Sequence, residues 1–170
     1  MSQIRKRTIK ATWWIYTGFF IGAINVYFFT NLNWFSAAQY GLTTSLRELS
    51  MLVCGMSALG VTSFLYKFFP YYEDNLEPQK NDMLGLALKV ALFGFITMSA
   101  LLFFFKPLVI RKFSENSPLL VEYFYYIIPM GFCILLFQVL EAYSYSFGKG
   151  VLTSFLKETL LRLLTSVLII

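Results

Sequence analysis

Residues 83–105 read MLGLALKVALFGFITMSALLFFF, with Lys89 as the one charge. A helix needs about 20 apolar residues to cross the roughly 30 Å hydrocarbon layer of a bilayer, so this stretch is long enough to span it. Asn81 or Asp82 can cap its start, and Pro107 marks its end. Similar runs lie on both sides of it. Residues 11–29 follow Arg5, Lys6, Arg7 and Lys10 and are followed by Asn31, Leu32, Asn33 and Trp34. That run exceeds the ~7–15 residues of a signal-peptide core, and no small-residue cleavage site comes after it, so it reads as an uncleaved first span. A polar stretch with a turn-permissive glycine, 36–41, leads into the second run, 42–69, which Pro70 stops. A fourth covers 121–147, where Pro129 beside Gly131 predicts a kink or local break. A fifth begins at Val151 and is still apolar at Ile170, as in a chain cut from something longer. The expected fold is an all-α, polytopic transmembrane helix bundle of about five spans.

Composition supports this reading. The 170 residues are 58% hydrophobic and 19% aromatic but only 14% charged, against about 25% charged in a soluble domain. Nineteen Phe and eleven Tyr exceed what a soluble core of this length could cover. The net charge of +5 is scattered at segment ends instead of forming a stripe interleaved with aromatics, so nucleic acid is not an expected partner. Cys54 and Cys133 sit inside apolar runs as core packing, with no disulfide framework or zinc pattern, and there is no histidine. No metal or cofactor is called for. With the N-terminus inside, the cytoplasmic side receives eight basic residues and the outer side three, Lys106, Arg111 and Lys112, which sets the orientation.

An ionisable residue inside a span costs roughly 2.5–3.5 kcal/mol on insertion scales, so each such position invites a function. Arg47 and Glu48, neighbours about 100° apart on a helix, cannot pair face to face; one lines a polar cavity or both snorkel at the outer interface. Lys89 offers a positive charge to an anionic head group or snorkels to the inner surface. Gln138 and Glu141, one turn apart, suit a hydrated path or a cation-binding carboxylate, or else bond between helices. Glu158 and Arg162 face each other at i, i+4 as a local ion pair, unless Lys157 and Arg162 form a basic approach for phosphate. Gly18 and Gly22 form a small-xxx-small pair that lets another helix come close, and Gly55, Ser57, Ala58 and Gly60 are suited to the same. Trp13–Trp14, Tyr71–Tyr72 and the aromatic run 123–126 fit interfacial belts.

The order of several short elements is informative: 4–8 (Ile-Arg-Lys-Arg-Thr), 27–30 (Tyr-Phe-Phe-Thr), 39–42 (Gln-Tyr-Gly-Leu), 59–61, 66–72 (Tyr-Lys-Phe-Phe-Pro-Tyr-Tyr), 80–82 and 140–143 (Leu-Glu-Ala-Tyr). Together they resemble the N-terminal part of the bacterial oligosaccharide and polysaccharide flippases of the multidrug/oligosaccharidyl-lipid/polysaccharide exporter superfamily. The resemblance implies a multi-pass protein of the bacterial cytoplasmic (inner) membrane, of which this chain supplies about the first five helices of a bundle of about twelve to fourteen. It implies no enzymatic activity, a polyprenyl-pyrophosphate-linked oligosaccharide as substrate, membrane lipid around it, and polysaccharide assembly proteins as further partners. On that view Arg47, Lys89 and Arg162 are the candidate substrate-binding residues, and Glu48, Glu141 and Gln138 the candidates for ion coupling. No nucleotide-binding loop is present to supply energy otherwise. The rival within the same fold is a cation-coupled multidrug exporter. A membrane-embedded sugar transferase using Glu73, Asp74, Glu77 and Asp82, or a small assembly subunit, are the alternatives of a different class.

Overall fold

The computed structural model describes residues 3–31, 35–77, 80–114 and 117–169, and among these no strand occurs. Leu32, Asn33 and Trp34 of the first expected loop, Pro78 and Gln79 of the second, Glu115 and Asn116 of the third, and the closing Ile170 lie outside the described residues. The chain forms two compact units, Met1–Tyr40 with Phe147–Ile170, and Gly41–Ser146.

The second unit is built from most of α2 (Ala37–Ser57), α3 (Val61–Asn75), α4 (Met83–Phe113), the short α5 (Pro118–Glu122), a 3₁₀ turn (Phe124–Tyr126) and α6 (Ile127–Ser146). Its core follows from a spacing of four. Val61, Leu65 and Phe69 on α3, Met83, Ala87, Ala91 and Phe95 on α4, and Ile127, Leu135 and Val139 on α6 are all buried. Rows at i, i+4 form the ridges by which helices interdigitate, and the alanines let backbones approach. Gly94 marks the closest approach, since a Cβ there would overlap the Ser57 carbonyl. The outward faces are equally apolar: Phe93, Ile96 and Phe104 on α4 are 68%, 61% and 78% exposed. Only 22% of the most apolar window of α4 is buried within the protein. A helix apolar on every side and so sparsely covered belongs in lipid.

By length and composition, α4 and the stretch Phe124–Ser146 can cross a membrane, and α2 with α3 makes a third crossing if that bent pair is one span. The expected continuous run 42–69 is therefore two helices meeting at 48°. Leu59 (φ 45°) and Gly60 (φ 77°) take left-handed backbone at the break, a conformation that cannot continue a right-handed helix. The start of α2 also lies earlier than expected. Ser36 and Gln39 form a reciprocal cap, the Gln39 Oε1 accepting from the Ser36 N–H at 2.8 Å and the Ser36 Oγ from the Gln39 N–H at 3.3 Å.

Neither proline expected to end a helix does so. Pro70 lies inside α3 and Pro107 inside α4. Each removes one backbone hydrogen bond, but each ring is exposed, while buried Phe69 holds α3 to the core beside the defect. The break expected at Pro129 lies just before it, in the 3₁₀ turn 124–126; Pro129 is the third residue of α6, where no intrahelical donor is needed. Within the aromatic run, Phe124 is buried at 2% and Tyr123, Tyr125 and Tyr126 are exposed, so three of the four have the exposure a belt requires. Asn81, not Asp82, caps α4 with its side chain, its Oδ1 accepting from the Met83 N–H at 3.2 Å.

The first unit consists of α1 (Gln3–Asn31), the start of α2, and a C-terminal helical stretch of α7 (Gly150–Ser154), a π turn (Phe155–Leu160) and α8 (Leu161–Ile169). Neither α1 nor this stretch is among the helices long and apolar enough to cross a membrane alone. Trp13, Trp14, Tyr16 and Asn25 dilute the apolar character of α1, and Lys157, Glu158 and Arg162 that of the last stretch.

Candidate functional site

In the first unit, two glycines on α1 open a track for the C-terminal helices. A Cβ at Gly18 would overlap the Glu158 carbonyl, and one at Gly22 would overlap the Arg162 guanidinium. The small-xxx-small pair is thus the contact face expected of it. Thr159, buried at 2%, donates its hydroxyl to the Trp14 carbonyl at 2.9 Å. Arg162 donates through one nitrogen to the Gly18 carbonyl at 2.9 Å and through the other to the Glu158 carboxylate at 2.9 Å. Asn25, 7% exposed, donates to the Arg162 carbonyl at 3.0 Å and accepts from the Ser166 hydroxyl at 2.6 Å. Trp14 and Phe155 meet edge to face at 4.6 Å and cover one end of this seam.

The π turn lies on this contact. Its i→i+5 bonding adds a residue to one turn, and here it spans Thr159 and Glu158, the residues facing Trp14 and Gly18. The seam is satisfied internally. Arg162 sits in the local ion pair with Glu158, and its side chain, 31% exposed, is also committed to α1. Its chemistry here is that of a helix-to-helix tie. Asn25, Thr159 and Ser166 did not stand out in the sequence, because a single amide or hydroxyl within an apolar run carries no spacing signal.

The second unit has a smaller polar seam. Ser50, fully buried, donates to the Ile127 carbonyl at 3.2 Å. Cys54, 2% exposed, donates its thiol to the Gln138 Oε1 at 2.9 Å. Gln138 therefore makes the bond between helices that was one of its two readings, and its partner is a cysteine expected only to pack. Glu141, one turn further along α6, is half-buried. Arg47 and Glu48 on α2 and Lys89 on α4 are exposed. Arg47 and Lys89 have no ion pair among the described residues. No group of three or more metal-binding side chains gathers among the described residues.

An apolar cleft of about 300 Å³ opens at the α2–α3 break, lined by Leu59, Gly60, Val61 and Phe64 on one side and Leu86, Ala87 and Val90 of α4 on the other. Nothing in the sequence announced it, since it exists only because the left-handed pair 59–60 diverts α3.

No protein family, curated protein or solved structure matches this chain.

Proposed function

We propose that the chain supplies the N-terminal helices, about five spans with the first residues in the cytoplasm, of a membrane transporter that flips a lipid-linked oligosaccharide across the bacterial cytoplasmic membrane. Helices of spanning length and apolarity support a membrane role, and the ordered elements along nearly the whole chain support the flippase reading. The observation that carries it is Arg47, an exposed guanidinium on α2 with no ion pair among the described residues. In or near lipid such a charge requires water, a head group or an anionic cargo, and a planar guanidinium matches phosphate oxygens two at a time. Arg162, held by Gly18 and Glu158, has the tying role described above, so Arg47 is the stronger donor for cargo phosphate.

The test is Arg47→Ala and Arg47→Lys in cells whose surface polysaccharide depends on the gene that encodes this chain. Loss of a charge-assisted bond predicts a fall in surface polysaccharide of about tenfold or more for Arg47→Ala, with lipid-linked oligosaccharide accumulating on the inner leaflet and partial retention by Arg47→Lys. Unchanged polysaccharide with altered resistance to amphipathic cations would replace this reading with that of a drug exporter.

A further inference from the structure

Within the first unit, α1 and the C-terminal helical stretch advance together. The Arg7 guanidinium lies 3.0 Å from where a Cβ would stand on Gly148, Trp14 meets Phe155 at 4.6 Å, Gly18 meets the Glu158 carbonyl and Gly22 the Arg162 guanidinium. The two therefore run parallel, and their N-terminal ends lie at one end of the unit. That end collects Arg5, Lys6, Arg7 and Lys10 from α1 and Lys149 from just before α7, all of them exposed. The single acidic residue of the unit, Glu158, is tied to Arg162 more than two turns further along, so no carboxylate side chain of the unit neutralises this end. Next along α1 come Trp13 and Tyr16, 69% and 71% exposed, and then Phe19 and Phe20, both 69% exposed. Arg7 and Trp14 are about 10 Å apart along the helix axis. The interfacial layer on each side of the hydrocarbon is roughly 5–8 Å thick, a span that long basic side chains bridge easily.

We infer that this end of the first unit is a binding surface for anionic phospholipid head groups, built jointly by α1 and, from the far end of the sequence, Lys149. The occupant follows from the layering along one axis: cations first, then exposed indole and phenol rings, then exposed phenyl rings, which is the order in which a bilayer passes from phosphate to hydrocarbon. An acidic protein or a nucleic acid would engage the charges and leave the ordered aromatic layers without a role. Gly148 makes the joint surface possible, because with φ 68° and no side chain it leaves room for the Arg7 guanidinium beside the residue that precedes Lys149. Lys149 in turn lies over the exposed Phe147 ring, its Nζ 6.0 Å from the centroid, so its stem covers apolar surface while its charge stays open to head groups. The inference goes beyond the transport reading and does not need it, since Arg47, the donor that reading uses, belongs to the second unit.

The detergent-purified chain is titrated with phosphatidylglycerol and with phosphatidylcholine of the same acyl chains, and retained lipid is counted by native mass spectrometry. The expected result is phosphatidylglycerol retained at least tenfold better. Arg7→Gln and Lys149→Gln, at exposed positions that leave the fold intact by circular dichroism, each lower that preference about fivefold, the worth of one basic residue near an anionic surface. Arg111→Gln/Lys112→Gln, which removes exposed charge from the end of α4 instead, keeps the preference. Equal retention of the two phospholipids by the parent overturns the proposal, as does a preference untouched by Lys149→Gln. An equal fall in the α4 variant also overturns it, by making net charge alone the cause. Retention of polyglutamate without any preference for phosphatidylglycerol would assign the surface to an acidic protein instead.

Discussion

Arg162 and Gly18 are bound across the first unit by a guanidinium-to-carbonyl hydrogen bond of 2.9 Å, made possible because Gly18 has no side chain to hold the helices apart. The same arginine neutralises Glu158, so one residue closes a helix contact and compensates a half-buried carboxylate. Arg162→Ala leaves both acceptors without their donor and is expected to cost about 1.5–3 kcal/mol. Thermal unfolding in detergent measures it. Arg162→Lys should recover part of the loss through charge alone, and a variant as stable as the parent would contradict the assignment.

The glycines differ in what surrounds them. Gly18→Ala introduces a methyl group into the Glu158 backbone, whereas nothing lies within 4 Å of a Cβ at Gly41. The first substitution should destabilise the chain by about 1–3 kcal/mol through overpacking. Gly41→Ala, inside α2, should be neutral or stabilising by up to about 1 kcal/mol. Equal melting temperatures for the two variants would show that α1 does not approach the C-terminal helices as described.

At the α2–α3 break the cost is in the backbone alone. Gly60 has φ 77° with open space around it, so Gly60→Ala should lose about 1–2 kcal/mol through the strain of its own backbone, with no clash against another part of the chain. Leu59, at φ 45°, should show the opposite sign, with Leu59→Gly relieving strain. The two denaturation curves, measured under one condition, should move in opposite directions relative to the parent.

The two thiols should label unequally. Cys54 is buried against Gln138 and Cys133 is exposed, so N-ethylmaleimide should modify Cys133 first in the folded, detergent-solubilised chain and reach Cys54 only after unfolding. Simultaneous modification would show that the seam between α2 and α6 is open.

Much of the helical content was legible because apolar runs in this chain are long and their boundaries are polar; α4 was visible from residues 83–105 alone. The prolines misled because a local rule met a tertiary exception: Pro70 and Pro107 lie on exposed faces of helices anchored by core residues, so the lost hydrogen bond does not stop the chain. The bend at residues 58–60 was concealed by apolarity, since Ala58, Leu59 and Gly60 look like helix interior and the left-handed backbone of Leu59 and Gly60 shows only in three dimensions. Of the candidate site residues, the Glu158–Arg162 pair was readable from its i, i+4 spacing. Its attachment to Gly18 and Asn25 was not, because more than 130 residues separate the partners. The Cys54–Gln138 bond was hidden for the same reason, at a separation of 84.

That α4 crosses a lipid bilayer is the claim beneath the rest. Topology reporters fused after Glu77, ahead of α4, and after Ser114, beyond it, read that claim directly in intact cells. The account predicts the first in the cytoplasm and the second outside. Both reporters on one side, or a chain that remains in solution after membranes are removed, would contradict it.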